Sequence, residues 1–263
     1  MRAGAKQPTQ AFQRCFRASA IQTALKSLGC FAPARNDGGN NKGGQRQQIY
    51  FLLPLRSTSL LDYIRFWPQP LLGLDIQADE IRLLQLQRSK KKRVIKQTLA
   101  QSLPAGAVID GQIQAAELVS DRLQELVKSS KLPKCGVAIA LPSHCVTTKR
   151  ISVIKGLRES ELEAEVISHL SHCFPIITEG LCYDYMTFGS NDEMQDDVLL
   201  VATSFTCLNT HVTAVQNAGL QVRVVDVDQY ALTRANQLRE KEGLQVEEKW
   251  LVSCGLALRV SDL

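Results

Sequence analysis

Short apolar runs with the length of buried β-strands recur along the chain from Pro70 onward. Short polar turns separate the first three runs, and two short connections between three strands predict an antiparallel meander. The fourth run follows a helical segment and is almost wholly apolar, so we expect it to lie parallel to a neighbouring strand. The predicted strands are residues 71–76, 81–87, 94–100, 135–141, 146–153, 183–188, 197–203 and 222–227.

Four segments between and after these strands are predicted helices, and the first and third carry apolar residues at helical spacing. The first has its apolar stripe at Leu118, Leu123, Leu126 and Val127, and it ends before Pro133. The other predicted helices are residues 156–173, 206–217 and 228–238. This order of elements predicts an α/β fold with a mixed sheet and an inserted small α+β unit.

The positive charge of the chain is concentrated before the first predicted strand. Residues 1–67 hold ten Lys or Arg against two acids, which gives +8, and the rest of the chain sums to −3 against a net charge of +5. The mildly acidic body predicts no nucleic-acid partner. The polar stretch 34–48 cannot offset its ordering entropy, so we predict a disordered basic extension over 1–67. Upstream sequence read from a misplaced start codon and, for a eukaryotic source, a transit peptide are the alternatives.

Apolar run lengths and cysteine spacing do not point to a specific function. No apolar run reaches the ~18–20 residues that span a bilayer, and we predict neither a transmembrane segment nor a secretory signal. Eight cysteines are present, none in C-x-x-C spacing, which is typical of small buried side chains in a reducing compartment.

Three groups of residues are candidates for chemistry. Asp75 lies near the end of the first predicted strand, and an apolar run with one acid is typical of a central strand that ends at a site. Asp226 and Asp228 flank one residue at another strand end, and with Asp75 they would suggest a two-metal nuclease, against which the acidic body argues. His169, His172 and Cys173 share a predicted helix at metal-ligand spacing, but no further ligand completes the set.

Several segments, taken in order and with their gaps, carry a more specific signal. They are residues 71–76, 102–113, 137–143, 156–157, 161–165, 174–175, 198–202, 218–220, 224–228, 231–232 and 254–259. Together they resemble the type IV pilus assembly protein PilM family, whose members have an FtsA-like, actin-like fold. The resemblance implies a ribonuclease H-like (actin-like) lobe that carries an inserted subdomain.

The resemblance also implies boundaries for the parts of that lobe. Subdomain IA would span 70–150 and resume at 222–238, with the inserted subdomain IC at 151–221. Residues 239–263 would form a polar linker and a terminal helix that packs on IA. The second lobe of the family has no counterpart between these segments, so we expect it to be absent.

This sequence departs most from the family at the residues implied in nucleotide binding. The resemblance implies that ATP and Mg²⁺ would meet Gly73, Asp75, Gln77 and Ala78, but Gln77 and Ala78 stand where the family has Gly-Ser-like residues. A Cβ at that place crowds the backbone amides that cradle phosphates. With the second lobe absent, we expect no ATPase activity and no bound cofactor.

The resemblance therefore points to a scaffold rather than an enzyme. It implies a cytoplasmic protein, peripheral at the inner membrane, that holds the N-terminal peptide of a PilN-like inner-membrane protein between IA and IC. Other inner-membrane components of the pilus machinery would be further partners. The alternatives are an actin-like ATPase completed by another chain and a degenerate, non-functional remnant.

Overall fold

The computed structural model describes residues 12–14, 71–89, 92–130, 132, 135–173, 180–189 and 194–259. The predicted basic extension therefore lies outside the described residues, apart from Phe12–Arg14. None of the helices within the described ranges is long and apolar enough to cross a membrane.

A five-stranded mixed sheet forms the larger half of the described chain. Its strands are β2 (Leu72–Ile76), β3 (Glu80–Ser89), β4 (Lys92–Ser102), β7 (Val137–Leu141) and β11 (Val222–Val227). Their order is β11-β7-β2-β3-β4, with β2, β3 and β4 antiparallel and with β7 parallel to both β2 and β11. The predicted meander, the parallel fourth strand and the mixed α/β fold are confirmed.

A four-stranded sheet forms the second half. It contains β8 (Val146–Ile154), β9 (Leu181–Gly189) and β10 (Gln195–Ser204), in which β10 pairs antiparallel with both neighbours. The edge strand β1 (Phe12–Arg14) pairs parallel with β9, a pairing that the composition of the extension did not predict. The sequence-based boundary at residue 150 falls inside β8, which pairs with β10 along its whole length.

Five helices and a small hairpin lie between and after these strands in the described part of the chain. The hairpin joins β5 (Val108–Ile109) to β6 (Gln112–Ile113), and a turn of 3₁₀ helix at Ser143–Cys145 leads from β7 into β8. A second 3₁₀ turn at Glu248–Trp250 leads into the last helix. The helices are α1 (Ala116–Ser129), α2 (Glu159–Cys173), α3 (Phe205–Asn217), α4 (Asp228–Glu242) and α5 (Leu251–Ala257).

The helices cover both faces of the larger sheet. Leu72 and Leu74 point into a core shared with α1 and α3, whereas Leu71 packs with Ala231 of α4 and Leu256 of α5 on the other face. A sheet with parallel strands needs both faces covered, because its apolar residues point both ways. Helix α3 was assigned to the inserted unit by its place in the sequence, yet its apolar side belongs to the core of the larger sheet.

Two glycines let α5 approach its neighbours more closely than side chains would permit. A Cβ on Gly73 of β2 would lie 1.8 Å from the carbonyl oxygen of Ser253, and a Cβ on Gly255 would lie 1.8 Å from the carbonyl oxygen of Ala231. Both contacts are with backbone atoms, which cannot rotate away as a side chain can. Helix α5 is therefore wedged between β2 and α4.

Candidate functional site

Asp75 lies at the end of β2 and is buried, with 3% of its surface exposed. The Gln77 Nε2 group donates a hydrogen bond of 2.7 Å to its Oδ1, and the Arg82 guanidinium lies 3.8 Å from its Oδ2. Burial raises the pKa of Asp75 to about 6; the charges of Asp228 and Asp79 add to this, and Gln77 and Arg82 oppose it. The site is thus a buried carboxylate that is ionised at neutral pH at some energetic cost.

The structure brings together only some of the residues predicted to meet a nucleotide. Gln77 contacts Asp75, but its amide is engaged by that carboxylate, and Ala78 is exposed beside it. Gly73 is buried under α5, so its missing side chain is needed for helix packing. The expectation that this chain binds no nucleotide cofactor at these residues stays a prediction.

Asp226 and Asp228 do not form the carboxylate pair that their spacing suggested. Asp226 is fully buried and forms ion pairs with Arg234 and with Arg259, whose Nε lies 3.2 Å from its Oδ2. Asp228 is the first residue of α4, where its Oδ1 accepts a hydrogen bond of 3.0 Å from the backbone N–H of Ser143. The change from strand to helix between the two residues breaks the alternation on which the prediction relied.

The histidine cluster on α2 shows no metal geometry. The Nδ1 of His172 lies 2.7 Å from the carbonyl oxygen of Ser168, and the side chain of Cys173 lies outside the described part of the chain. Within the described ranges, no three His, Cys, Asp or Glu side chains are grouped so that they could hold a metal ion.

The raised pKa of Asp75 gives a pH-dependent prediction. Between the unperturbed pKa of 3.8 and the folded pKa of about 6, the folded state binds more protons than the unfolded state, so stability falls as pH rises through this window. Asp75→Asn removes the ionisation and is expected to raise the free energy of unfolding by up to ~3 kcal/mol at pH 7.5, with no gain at pH 3.5. Urea unfolding of both proteins at the two pH values measures this, and an equal change at both would contradict it.

A cleft of about 390 Å³ opens between the two sheets. Three separate pieces of the chain form its walls: the β5–β6 hairpin with the residue after it, the 3₁₀ turn between β7 and β8, and the last residue of β10 with the first two turns of α3. The lining residues are Gln112, Ile113, Gln114, His144, Cys145, Ser204, Thr206, Cys207, Thr210 and His211.

His211 ties two of these walls together. It is buried, its Nδ1 lies 2.8 Å from the carbonyl oxygen of Cys207, and its Nε2 lies 3.1 Å from the carbonyl oxygen of Gly111 in the hairpin. Burial lowers the pKa of His211, and the two carbonyl groups act in the opposite direction. The contact with Gly111 fixes the hairpin against α3 and so sets the width of the cleft.

The chemistry of the cleft is that of uncharged hydrogen-bonding groups. Apart from Ile113, its described lining residues carry amide, hydroxyl, thiol or imidazole groups, and none of these described residues is Lys, Arg, Asp or Glu. Such groups can pair with the N–H and C=O groups of a peptide backbone, whereas the described lining offers no cation to a phosphate. Sequence reasoning assigned no residue to this cleft, although the exposed Thr206 and half-buried Thr210 lie four residues apart on one side of α3.

Comparison with known proteins agrees with this architecture. A family model described as Type IV pilus assembly protein PilM matches residues 73–242. A chain of the PilM-PilN type IV pilus biogenesis complex has a similar fold, with a TM-score of 0.56 and 22% sequence identity over 65% of this chain and 51% of that chain. This chain thus spans about half the length of that solved relative.

A more distant structure is the cytoplasmic domain of EpsL, an inner-membrane component of the type II secretion system of Vibrio cholerae. Its TM-score is 0.37, with 12% identity over 62% of this chain and 58% of that chain. The PilM family model, in contrast, extends from β2 through the end of α4 and covers well over half of the 263 residues. The chain belongs to the type IV pilus assembly protein PilM family.

Proposed function

We propose that this protein is a scaffold of the type IV pilus assembly machinery that binds the N-terminal peptide of a PilN-like inner-membrane protein in the cleft between its two sheets. Membership of the PilM family and the similar fold of a chain from a PilM-PilN complex support the proposal. The observation that carries it is the cleft itself, whose lining offers uncharged donors and acceptors on three sides.

An extended peptide brings one N–H and one C=O group per residue into such a cleft, and each needs a partner once water is displaced. The Gln112 and Gln114 amides can serve as both donors and acceptors, and the Ser204, Thr206 and Thr210 hydroxyls can do the same. Since His211 fixes the hairpin to α3, the walls are held apart before a ligand arrives, which lowers the entropic cost of binding.

A cleft-filling substitution tests the proposal. Thr210→Trp places a large ring in the cleft, and we expect it to weaken binding of a fluorescent peptide copied from the N-terminus of a PilN-like protein at least tenfold, which is ~1.4 kcal/mol. Fluorescence anisotropy with the full chain gives the two dissociation constants. The matched control is Gln216→Trp, which adds the same ring to an exposed position of α3 outside the cleft.

The two variants separate a local effect from a folding defect. Both are expected to keep the wild-type circular dichroism spectrum, and Gln216→Trp is expected to bind the peptide as wild type does. Unchanged binding by a folded Thr210→Trp protein, or equal loss in both variants, would remove the cleft as the docking site.

The same proposal places the protein at the cytoplasmic face of the inner membrane, held there by its partner. We expect it to sediment with inner-membrane vesicles that contain the PilN-like protein and to remain in the supernatant when that protein lacks its N-terminal peptide. Sedimentation that does not depend on the peptide would contradict this part of the proposal.

A further inference from the structure

Two cysteines from different elements lie at one wall of the cleft between the sheets. Cys145 ends the 3₁₀ turn before β8, and Cys207 lies in the first turn of α3. Both are half-buried, both have free thiols and both line the cleft. The other described cysteines lie elsewhere: Cys182 and Cys254 are buried, and Cys135 precedes β7.

The backbone explains why the two thiols meet. The antiparallel register of β8 and β10 pairs Val146 with Thr203, which sets Cys145 beside Ser204. Ser204 is the N-cap of α3, and its Oγ accepts a hydrogen bond of 3.2 Å from the backbone N–H of Cys207. The Thr203 hydroxyl donates a bond of 2.7 Å to the Cys145 carbonyl, so the strand ladder and the helix cap hold both cysteines in place.

Their surroundings give the two sulfur atoms different roles. The Gln112 Nε2 group donates to the Cys145 Sγ at 3.2 Å, and the Cys207 thiol shares a hydrogen bond with it. The thiolate is the attacking species in disulfide exchange. Burial, followed by the neighbouring Cys145, raises the pKa of Cys207 to about 12. Cys207 therefore keeps its proton as long as Cys145 is not modified.

We propose that Cys145 and Cys207 form a redox-sensitive pair that closes to an intramolecular disulfide when the protein meets a low-molecular-weight disulfide. The Cys145 thiolate attacks one sulfur of that disulfide, forms a mixed disulfide and expels one thiolate. Cys207 then loses its proton and attacks the Cys145 sulfur, which expels the second thiolate. The two protein thiols are oxidised, the small disulfide is reduced to two thiols, and these take up the two protons.

The attachment of the small thiol to Cys145 also assists the second step. It removes the Cys145 charge that helps to raise the pKa of Cys207, so Cys207 ionises more readily in the mixed disulfide than in the free protein. The closed bridge ties the 3₁₀ turn to the first turn of α3 along the cleft wall. If the proposed docking function holds, oxidation therefore weakens peptide binding, because it removes two polar groups from that wall.

The test uses the full chain with Cys135→Ser as background, because the tryptic peptide that carries Cys145 also carries Cys135. After incubation with oxidised glutathione, digestion with trypsin and chymotrypsin and mass spectrometry are expected to show a Cys145–Cys207 linked peptide that disappears on reduction. In Cys207→Ser the glutathione adduct is expected to accumulate on Cys145. In Cys145→Ser we expect Cys207 to react at least tenfold more slowly than Cys145 does.

Absence of the linked peptide from the folded, oxidised protein would overturn the proposal, as would equally fast modification of Cys207 in Cys145→Ser. These readouts are independent of peptide docking. Peptide affinity is then measured before and after oxidation, so a protein that forms the bridge but binds no peptide in either state counts against the docking function alone.

Discussion

Gly255→Ala is expected to lower the free energy of unfolding by more than the ~1–3 kcal/mol that is typical of an overpacked core. The new methyl group would lie 1.8 Å from the carbonyl oxygen of Ala231 and 2.4 Å from its carbonyl carbon, so α4 and α5 must move apart. That movement opens the apolar core around Leu256, which is fully buried, and Ala231. Urea unfolding followed by circular dichroism measures the change.

Two control variants follow from the fact that Gly255 faces backbone atoms of Ala231. Ala231→Gly combined with Gly255→Ala is expected to give no recovery, because the obstructing atoms belong to the backbone and remain in the double variant. Gly219→Ala places its methyl group in open space but at a φ of +84°, and we expect only the ~1 kcal/mol of an unfavourable conformation. Equal midpoints for Gly255→Ala and Gly219→Ala would show that α4 and α5 are not locked by this contact.

Local patterns predicted most of the strands and helices, because each depends on residues close together in the sequence. The turns between β2, β3 and β4 are short enough to permit only antiparallel neighbours, and β7 follows a helix that demands a parallel crossover. The boundary between the sheets was harder to place. Strand β8 follows β7 after a single 3₁₀ turn, and nothing in its own alternation indicates that it pairs with β10 some 50 residues later.

Gly73 shows why the candidate nucleotide site was less predictable than the fold. A glycine near the end of a strand leaves room for a phosphate, for a metal ligand or for another backbone, and the strand pattern is the same in each case. The backbone that occupies the space belongs to Ser253 and Ala257, about 180 residues away in the sequence. Only the packing of α5 on β2 distinguishes these uses.

The cleft was missed for a related reason. Its walls come from residues near 112, 144 and 206. The sequence of each segment by itself is typical of a polar turn or of a solvent-facing helix surface. The contact between His211 and the Gly111 carbonyl spans 100 residues and joins two of the segments, and a single histidine in an amphipathic helix does not predict it. A lining made of uncharged side chains also has no distinctive spacing, in contrast to a phosphate loop or a metal motif.

Asp226→Asn is expected to destabilise the protein by ~3–5 kcal/mol, as when one partner of a buried ion pair is removed. Asp226 and Arg259 are fully buried, and Arg234 approaches the same carboxylate from α4 while its Nε donates a bond of 3.1 Å to the Gly255 carbonyl. The carboxylate thus neutralises guanidinium groups from α4 and from the segment after α5. Chemical unfolding measures the effect, and Glu125→Gln, in an exposed pair with Arg122, is the control that should change little.

The coupling between Asp226 and Arg259 in the free energy of unfolding gives a sharper test than the single variant does. In the wild-type background, Arg259→Met removes one of the two described guanidinium groups that pair with Asp226. It is expected to destabilise the protein, although less than Asp226→Asn does, because the carboxylate keeps Arg234. In the Asp226→Asn background the Arg259 guanidinium no longer faces this carboxylate, so the same Arg259→Met change is expected to cost less than it does in the wild-type background. Additive losses in the double variant would mean that Arg259 contributes through the packing of its alkyl chain rather than through its charge.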